Sequence, residues 1–166
     1  MVTAAAASDL RARAWAAASE VTDPEIPVLT IADLGVLRDV AVNGDAVEVT
    51  ITPTYSGCPA MNMIALEIEL ALARAGFGKS KITTVLSPAW TTDWLSAEGR
   101  RKLAEIGIAP PAGRTNRRAL FGADAVACPR CGSHETEQIS EFGSTACKAL
   151  YRCRHCAEPF DYFKCH

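Results

Sequence analysis

The sequence predicts an α+β protein in which helices pack on a small mixed sheet, followed by a C-terminal four-cysteine zinc ribbon. Three observations support this class. A hairpin pattern occupies 36–51, an amphipathic helix pattern follows it, and all but one of the seven cysteines lie at or after Cys128. We therefore expect an α+β domain over 1–109, a linker over 110–124 and a zinc ribbon over 125–166.

Two runs of alternating apolar residues, 36–42 and 46–51, flank Asn43-Gly44-Asp45. Asn-Gly between such runs is a strong hairpin signal, so we expect two antiparallel strands. A first helix capped by Ser8 and a third strand over 81–86 would complete the sheet layer.

Cys58 lies where the second predicted strand gives way to a helix. Pro59 suits a first helical position, and apolar residues then recur at spacings of three and four. These residues are Met61, Ile64, Ala65, Ile68, Ala71, Leu72 and Ala75. A thiol at a helix N-terminus is expected to have a lowered pKa. A small buried apolar role is an equal alternative, because free cysteine is among the most buried residue types.

Two carboxylates, Asp23 and Glu25, lie on a segment held by Pro24 and Pro27. Prolines this close forbid a regular helix and fix an extended or turned backbone. In isolation the simpler interpretation is a pair of turn-forming or capping carboxylates, since Asp before Pro is ordinary turn chemistry.

Two CxxC pairs near the C-terminus have the spacing of a zinc ribbon. Cys128 and Cys131 form the first pair, and Cys153 and Cys156 form the second. Four thiolates would complete a tetrahedral shell and leave no open position, so the predicted zinc is structural. Iron, or an iron-sulfur cluster, is an alternative occupant of such a site. His134 and His155 lie beside the CxxC pairs and are expected at the surface. The roles of Cys147, Cys165 and His166 stay open.

The loop after the third strand carries two large aromatic residues, Trp90 and Trp94. Such residues more often fill a core edge, although a position after a strand also suits a partner-binding surface. Cys147 is predicted on the strand that enters the second CxxC pair, and we group it with the two tryptophans as a candidate partner surface.

Composition narrows the functional classes. A net charge of −2 and a pI of about 5.9 give no general attraction to nucleic acid or anionic membranes. The alanine-rich start lacks the apolar core of a signal peptide, and no run is long enough to span a bilayer. We expect a cytoplasmic protein, in which seven cysteines indicate metal or redox chemistry rather than disulfides.

Several motifs together carry a family resemblance. Residues 23–27 (DPEIP), 33–36 (DLGV) and 52–59 (TPTYSGCP) are similar to the SufT-like domain family of cytosolic iron-sulfur assembly factors, over roughly 8–108. With the loop at 87–94, the segment 142–148 (FGSTACK) and the ribbon, the whole chain resembles the PaaD family, the D subunits of bacterial phenylacetyl-CoA epoxidase systems.

The resemblance implies an accessory protein of phenylacetate catabolism rather than an enzyme. It implies oxygenase or reductase subunits as partners, and assembly or maintenance of their iron-sulfur or di-iron centre. Cys58 would be the functional thiol, with Asp23 and Glu25 beside it and iron or a cluster held transiently. A structural adaptor and a nucleic-acid-binding zinc ribbon are the alternatives, and a homo-oligomer stays open.

Overall fold

The computed structural model describes residues 4–111 and 126–164, with the side chains of 4–6 excluded. The chain forms two compact units, Met1–Trp90 and Thr91–His166. This division differs from the expected boundary at 109, because the last helix and a short strand belong with the second unit. Most of the expected linker, residues 112–124, lies outside the described residues.

The first unit contains a three-stranded mixed sheet, as predicted. Its strands are β1 (Leu37–Asn43), β2 (Ala46–Ile51) and β3 (Lys79–Thr84), in the order β1-β2-β3. The β1–β2 pair is antiparallel and the β2–β3 pair is parallel. The inward side chains of β1 and β2 are fully buried, namely Val40, Val47, Val49 and Ile51. The third strand begins and ends two residues earlier than the predicted 81–86.

The predicted hairpin at Asn43-Gly44-Asp45 is confirmed. Asn43 pairs with Ala46, which leaves Gly44 and Asp45 as the two turn residues. Gly44 has φ of +66°, and Asp45 does not share the left-handed region. This combination is typical of a type II′ turn, in which glycine occupies the first central position.

Two helices belong to the first unit, α1 (Ala4–Ser19) and α2 (Met61–Arg74). In α2 the predicted apolar stripe is buried through Ile64, Ile68 and Leu72. The predicted start of α1 at Ser8 is wrong, because the preceding alanines are strong helix formers and extend the helix to Ala4.

The second unit contains α3 (Ala97–Glu105) and a four-stranded sheet. The strands are β4 (Ile108–Ala109), β5 (Thr136–Ser140), β6 (Lys148–Cys153) and β7 (Pro159–Phe163), in the order β4-β7-β6-β5. The last three are antiparallel neighbours, and β4 runs parallel to β7. A small core joins the sheet to the CxxC pairs through Ala109, Val126, Cys128, Ala149, Cys153, Phe160 and Tyr162. Among the described residues, no helix combines the length and apolar character needed to cross a membrane.

Candidate functional site

Cys58 lies in a turn just before α2. Its N–H donates to the Tyr55 carbonyl at 3.3 Å, and its carbonyl accepts the Met61 N–H at 3.4 Å. The helix begins at Met61 with Ala60 as its N-cap residue, so the prediction of Pro59 as first helical residue is wrong. Two residues, Pro59 and Ala60, therefore separate Cys58 from the first residue of the helix. The Cys58 side chain is half-buried.

The segment bearing the two carboxylates is a closed turn. Asp23 Oδ1 accepts the N–H groups of Glu25 at 2.8 Å and Ile26 at 2.9 Å. The Asp23 N–H donates to the Leu29 carbonyl at 2.9 Å, and Asp23 is 8% exposed. Asp23 is thus a turn-forming carboxylate that fixes the backbone carrying Glu25, which is half-buried.

The electrostatics of Cys58 differ from the expectation. Burial raises the pKa of the Cys58 thiol above its ordinary value, and the negative charges of Glu25 and Asp23 raise it further. Hydrogen bonds from the Ala60 N–H and from Tyr55 act in the opposite direction without reversing the shift. The predicted lowering of the Cys58 pKa by a helix terminus is therefore wrong, because partial burial and, to a smaller extent, the two carboxylates outweigh the nearby hydrogen bonds.

The negative charges around Cys58 favour metal binding over a free thiolate. An anionic thiolate is disfavoured beside two carboxylates, but a thiolate bound to a metal cation gains from the same negative charges. The charges of Asp23 and Glu25 thus act on the Cys58 thiol. Among these three residues, the Cys58 thiol is the soft donor, and the Asp23 and Glu25 carboxylates contribute negative charge.

The four thiols of the CxxC pairs form a second, separate cluster. The sulfur atoms of Cys128, Cys131, Cys153 and Cys156 all lie within 4.8 Å of one another. Cys128 Sγ and Cys156 Sγ are 3.8 Å apart, and Cys131 Sγ and Cys153 Sγ are 3.6 Å apart. A tetrahedral zinc with Zn–S bonds of about 2.3 Å requires sulfur separations of about 3.8 Å. The donor set and spacing therefore fit one tetrahedral zinc ion.

The two CxxC turns have matching backbones. The N–H of the first cysteine in each pair donates five residues ahead, from Cys128 to the Ser133 carbonyl and from Cys153 to the Glu158 carbonyl, both at 2.9 Å. The residue after each pair has positive φ, +74° at Gly132 and +63° at Ala157. The glycine at 132 indicates a positive φ in the sequence, whereas the alanine at 157 gives no such signal.

The pKa values of two neighbouring thiols in this cluster, Cys131 and Cys153, are shifted in opposite directions. The N–H groups of Cys156 and His155 lower the pKa of Cys153 to about 6. The Ser133 backbone N–H lowers the pKa of Cys131, but desolvation and the neighbouring thiols outweigh it and raise this pKa to about 12. A metal ion bound between the four sulfur atoms would favour the thiolate form of each cysteine.

The predicted partner surface is wrong for two of its three residues. Trp90 is 3% exposed, and its Nε1 donates to the Leu34 carbonyl at 2.8 Å, so it is a core residue. Cys147 is 4% exposed, with its sulfur 3.0 Å from Thr145 Oγ1. Trp94 is half-buried. None of the three therefore presents a fully exposed side chain.

Among the described residues, no other candidate ligand joins the cluster. His134 and His155 are both exposed, as expected, and neither belongs to the group of thiols. Cys165 and His166 lie outside the described residues.

Two family models match different parts of the chain. Residues 11–84 match the model described as an iron-sulfur cluster assembly protein, and residues 112–164 match the PaaD zinc beta ribbon domain. A crystal structure of a domain of unknown function, DUF59, from Bacillus anthracis shares the fold of the first part. Its TM-score is 0.57 at 23% identity, over 61% of this chain and 97% of that one. The fold and the sites define an iron-sulfur assembly-type domain followed by a zinc ribbon domain.

Proteins with similar sequences indicate which family within this class the chain belongs to. An Escherichia coli (strain K12) protein, provisionally named as the D component of 1,2-phenylacetyl-CoA epoxidase, is 53% identical over 91% of this chain and 90% of its own length. An Fe-S protein maturation auxiliary factor from Porphyromonas gingivalis (strain ATCC BAA-308 / W83) is 36% identical over 50% of this chain and 80% of its own. The chain belongs to the PaaD family, the D subunits of phenylacetyl-CoA epoxidase.

Proposed function

We propose that this chain is a non-catalytic accessory factor of a phenylacetyl-CoA epoxidase system, acting in phenylacetate catabolism. It delivers iron or an iron-sulfur cluster to the oxygenase or reductase subunits, and the Cys58 sulfur is the atom that holds the cargo. The observation that carries this proposal is the half-buried Cys58 thiol, which lies under the combined charge of Glu25 and Asp23. The Porphyromonas gingivalis relative, which is named as an Fe-S protein maturation auxiliary factor, supports the same role.

The chemistry follows from the raised pKa of Cys58. At neutral pH the thiol is protonated, so iron binding releases that proton and forms one Fe–S bond. Glu25 and Asp23 then stabilise the positive charge that replaces the proton, and Glu25 offers an oxygen ligand. With one thiolate and few supporting ligands, the cargo is held weakly. Reprotonation of Cys58 favours its release to a partner with more ligands.

The four-cysteine site has a different task in this proposal. Cys128, Cys131, Cys153 and Cys156 hold a structural zinc ion that stabilises a unit with a small core. Four thiolates fill the coordination shell, so this zinc provides no open position for the cargo.

Replacement of Cys58 by serine tests the proposal. Serine keeps the size and the turn but lacks the soft ligand, so we expect at least roughly a tenfold loss of iron loading in the partner subunits. The measurement is the iron and sulfide content of the oxygenase and reductase purified from cells whose own copy is replaced by the variant.

Cys147→Ser is the matched control, because Cys147 is another cysteine outside the four-cysteine cluster. We expect normal loading with this variant. Full loading with Cys58→Ser would overturn the carrier role and leave the chain as a structural adaptor.

A further inference from the structure

The outward face of α2 carries three exposed apolar residues that the metal site does not use. Met63, Leu66 and Leu70 are 51%, 48% and 41% exposed. Their spacing of three and four places them on one side of the helix. At about 100° per residue, this side is opposite the buried face that begins with Ile64 and Ile68. We call these three residues the α2 apolar row.

The α2 apolar row does not contribute to the core of its own unit. The outward side of a surface helix normally carries polar residues, and single exposed apolar residues need no explanation. Three at helical spacing form a continuous strip, which is typical of a helix that fits a partner's groove. Cys58 lies three residues before the first residue of α2, so the strip begins at the end of the helix where the thiol is located.

Acidic residues border the row. Glu69 is exposed on one side of it and Glu67 is half-buried on the other. In the described part of the chain, neither carboxylate forms an ion pair. Arg74, in the last turn of α2, is the only basic residue of this helix, so the part of the helix before that turn carries two negative charges and no positive charge.

We propose that the α2 apolar row docks a partner protein whose surface presents apolar side chains bordered by lysine or arginine. The inference rests on the proposed function in one respect, since it takes this partner to be the subunit that receives the metal. Apolar burial supplies the affinity, and attraction between the acidic border and the basic partner orients it. Docking here brings the partner's metal site to the N-terminal end of α2, where Cys58 lies.

The same charges disfavour other occupants. If two copies of the chain paired about Leu66, Glu67 and Glu69 of one copy would approach their counterparts in the other, and like charges repel. Nucleic acid and anionic membranes are repelled by the acidic border for the same reason.

The test is Leu66→Glu, which places a charge in the middle of the row without disturbing the core. Leu86→Glu is the matched control, because Leu86 is 61% exposed, belongs to the same unit and lies outside α2. Binding to the purified oxygenase and reductase components is measured by titration calorimetry, and thermal melting confirms that both variants fold. We expect Leu66→Glu to raise the Kd at least roughly tenfold and Leu86→Glu to change it less than about twofold.

Charge reversal provides a second measurement. We expect salt to weaken binding by the wild-type chain, and we expect Glu67→Lys combined with Glu69→Lys to raise the Kd and remove that weakening. Equal binding by Leu66→Glu and the wild type would overturn the proposal, as would a wild type that binds neither component. Sedimentation showing a wild-type dimer that Leu66→Glu dissociates would overturn it as well, in favour of a second copy.

Cys58→Ser separates this inference from the proposed function. If docking and transfer are both correct, Cys58→Ser binds the partner with unchanged Kd but fails to load it. If only the transfer proposal is wrong, Leu66→Glu still loses binding while Cys58→Ser loads normally.

Discussion

Cys58 and the four-cysteine cluster both offer cysteine sulfur, but the surroundings of the sulfur atoms differ. Cys58 is a single thiol whose neighbours are carboxylates, and these raise its pKa. In the ribbon, four thiols already lie within 4.8 Å of one another, at separations that fit a tetrahedral ion. The ribbon site is therefore complete before any partner arrives, whereas the Cys58 site needs ligands from elsewhere to complete a shell.

We propose that this difference separates permanent metal binding in the ribbon from exchangeable metal binding at Cys58. A site with four thiolates from one chain loses its metal slowly, and the metal contributes directly to folding. A site with one thiolate and nearby carboxylates can attract a cation and still surrender it to a partner with more ligands. The comparison predicts that substitutions in the ribbon affect folding, and that substitutions around Cys58 affect exchange alone.

The largest effect is expected from Cys153→Ser. Structural zinc contributes about 10 kcal/mol or more to the folding of small zinc domains, and removal of one ligand forfeits much of it. We expect loss of zinc and unfolding of the ribbon, while the first unit keeps its own core. Elemental analysis and amide NMR spectra measure the two results. His155→Ala, which changes an exposed residue between two ligands, is the control and should retain both zinc and fold.

A smaller effect is expected from Glu25→Gln. Removal of this negative charge lowers the pKa of Cys58, because Glu25 contributes to raising it. The same removal weakens iron binding about three- to tenfold, since the charge that stabilised the cation is gone. Thiolate absorbance during a pH titration measures the first change, and iron titration under anaerobic conditions measures the second.

Glu20→Gln is the control for that experiment, because Glu20 is exposed and does not contribute to the pKa of Cys58. For the wild type, iron affinity should rise about tenfold per pH unit until the raised pKa of Cys58 is reached, since each bound ion displaces a proton there. An unchanged thiol titration in Glu25→Gln would contradict the electrostatic account.

The smallest effect concerns the two CxxC turns. Ala157 has φ of +63°, a conformation that costs an L-residue with a side chain about 1 kcal/mol and costs glycine little. Ala157→Gly should therefore stabilise the ribbon by about 1 kcal/mol, measured as a higher melting temperature of the zinc-bound protein.

The reciprocal variant is Gly132→Ala, where the added Cβ meets no atom within 4 Å. It should destabilise the ribbon by a similar amount through backbone strain alone. If Ala157→Gly raises the stability of the ribbon and Gly132→Ala lowers it, the two turns are equivalent. If both variants change the stability in the same direction, they are not.

Local sequence patterns predict most elements of the fold. Asn43-Gly44-Asp45 predicts the hairpin because few residues accept positive φ, and the CxxC spacing predicts the thiol cluster because it is itself a geometric constraint. The apolar spacing of α2 predicts its buried face. The two-residue strand β4 has no such pattern, since its only support is pairing with β7 across a long stretch of sequence.

The properties of the candidate site were less accessible to sequence. Position before a helix suggested a lowered pKa for Cys58, but the outcome depends on burial and on Glu25 and Asp23, which are distant in sequence. The loop position of Trp90 allowed a surface role, yet Leu34 provides a hydrogen-bond partner in the core. Long-range contacts determine both results, and no local pattern encodes them.

The most direct test of the central claim is the metal content of the purified protein after anaerobic incubation with ferrous iron, compared with that of Cys58→Ser. We predict one zinc ion per chain in both proteins, and iron that a chelator removes rapidly in the wild type alone. Equal iron binding by Cys58→Ser, or iron in place of zinc at the four thiols, would contradict the assignment of exchange to Cys58.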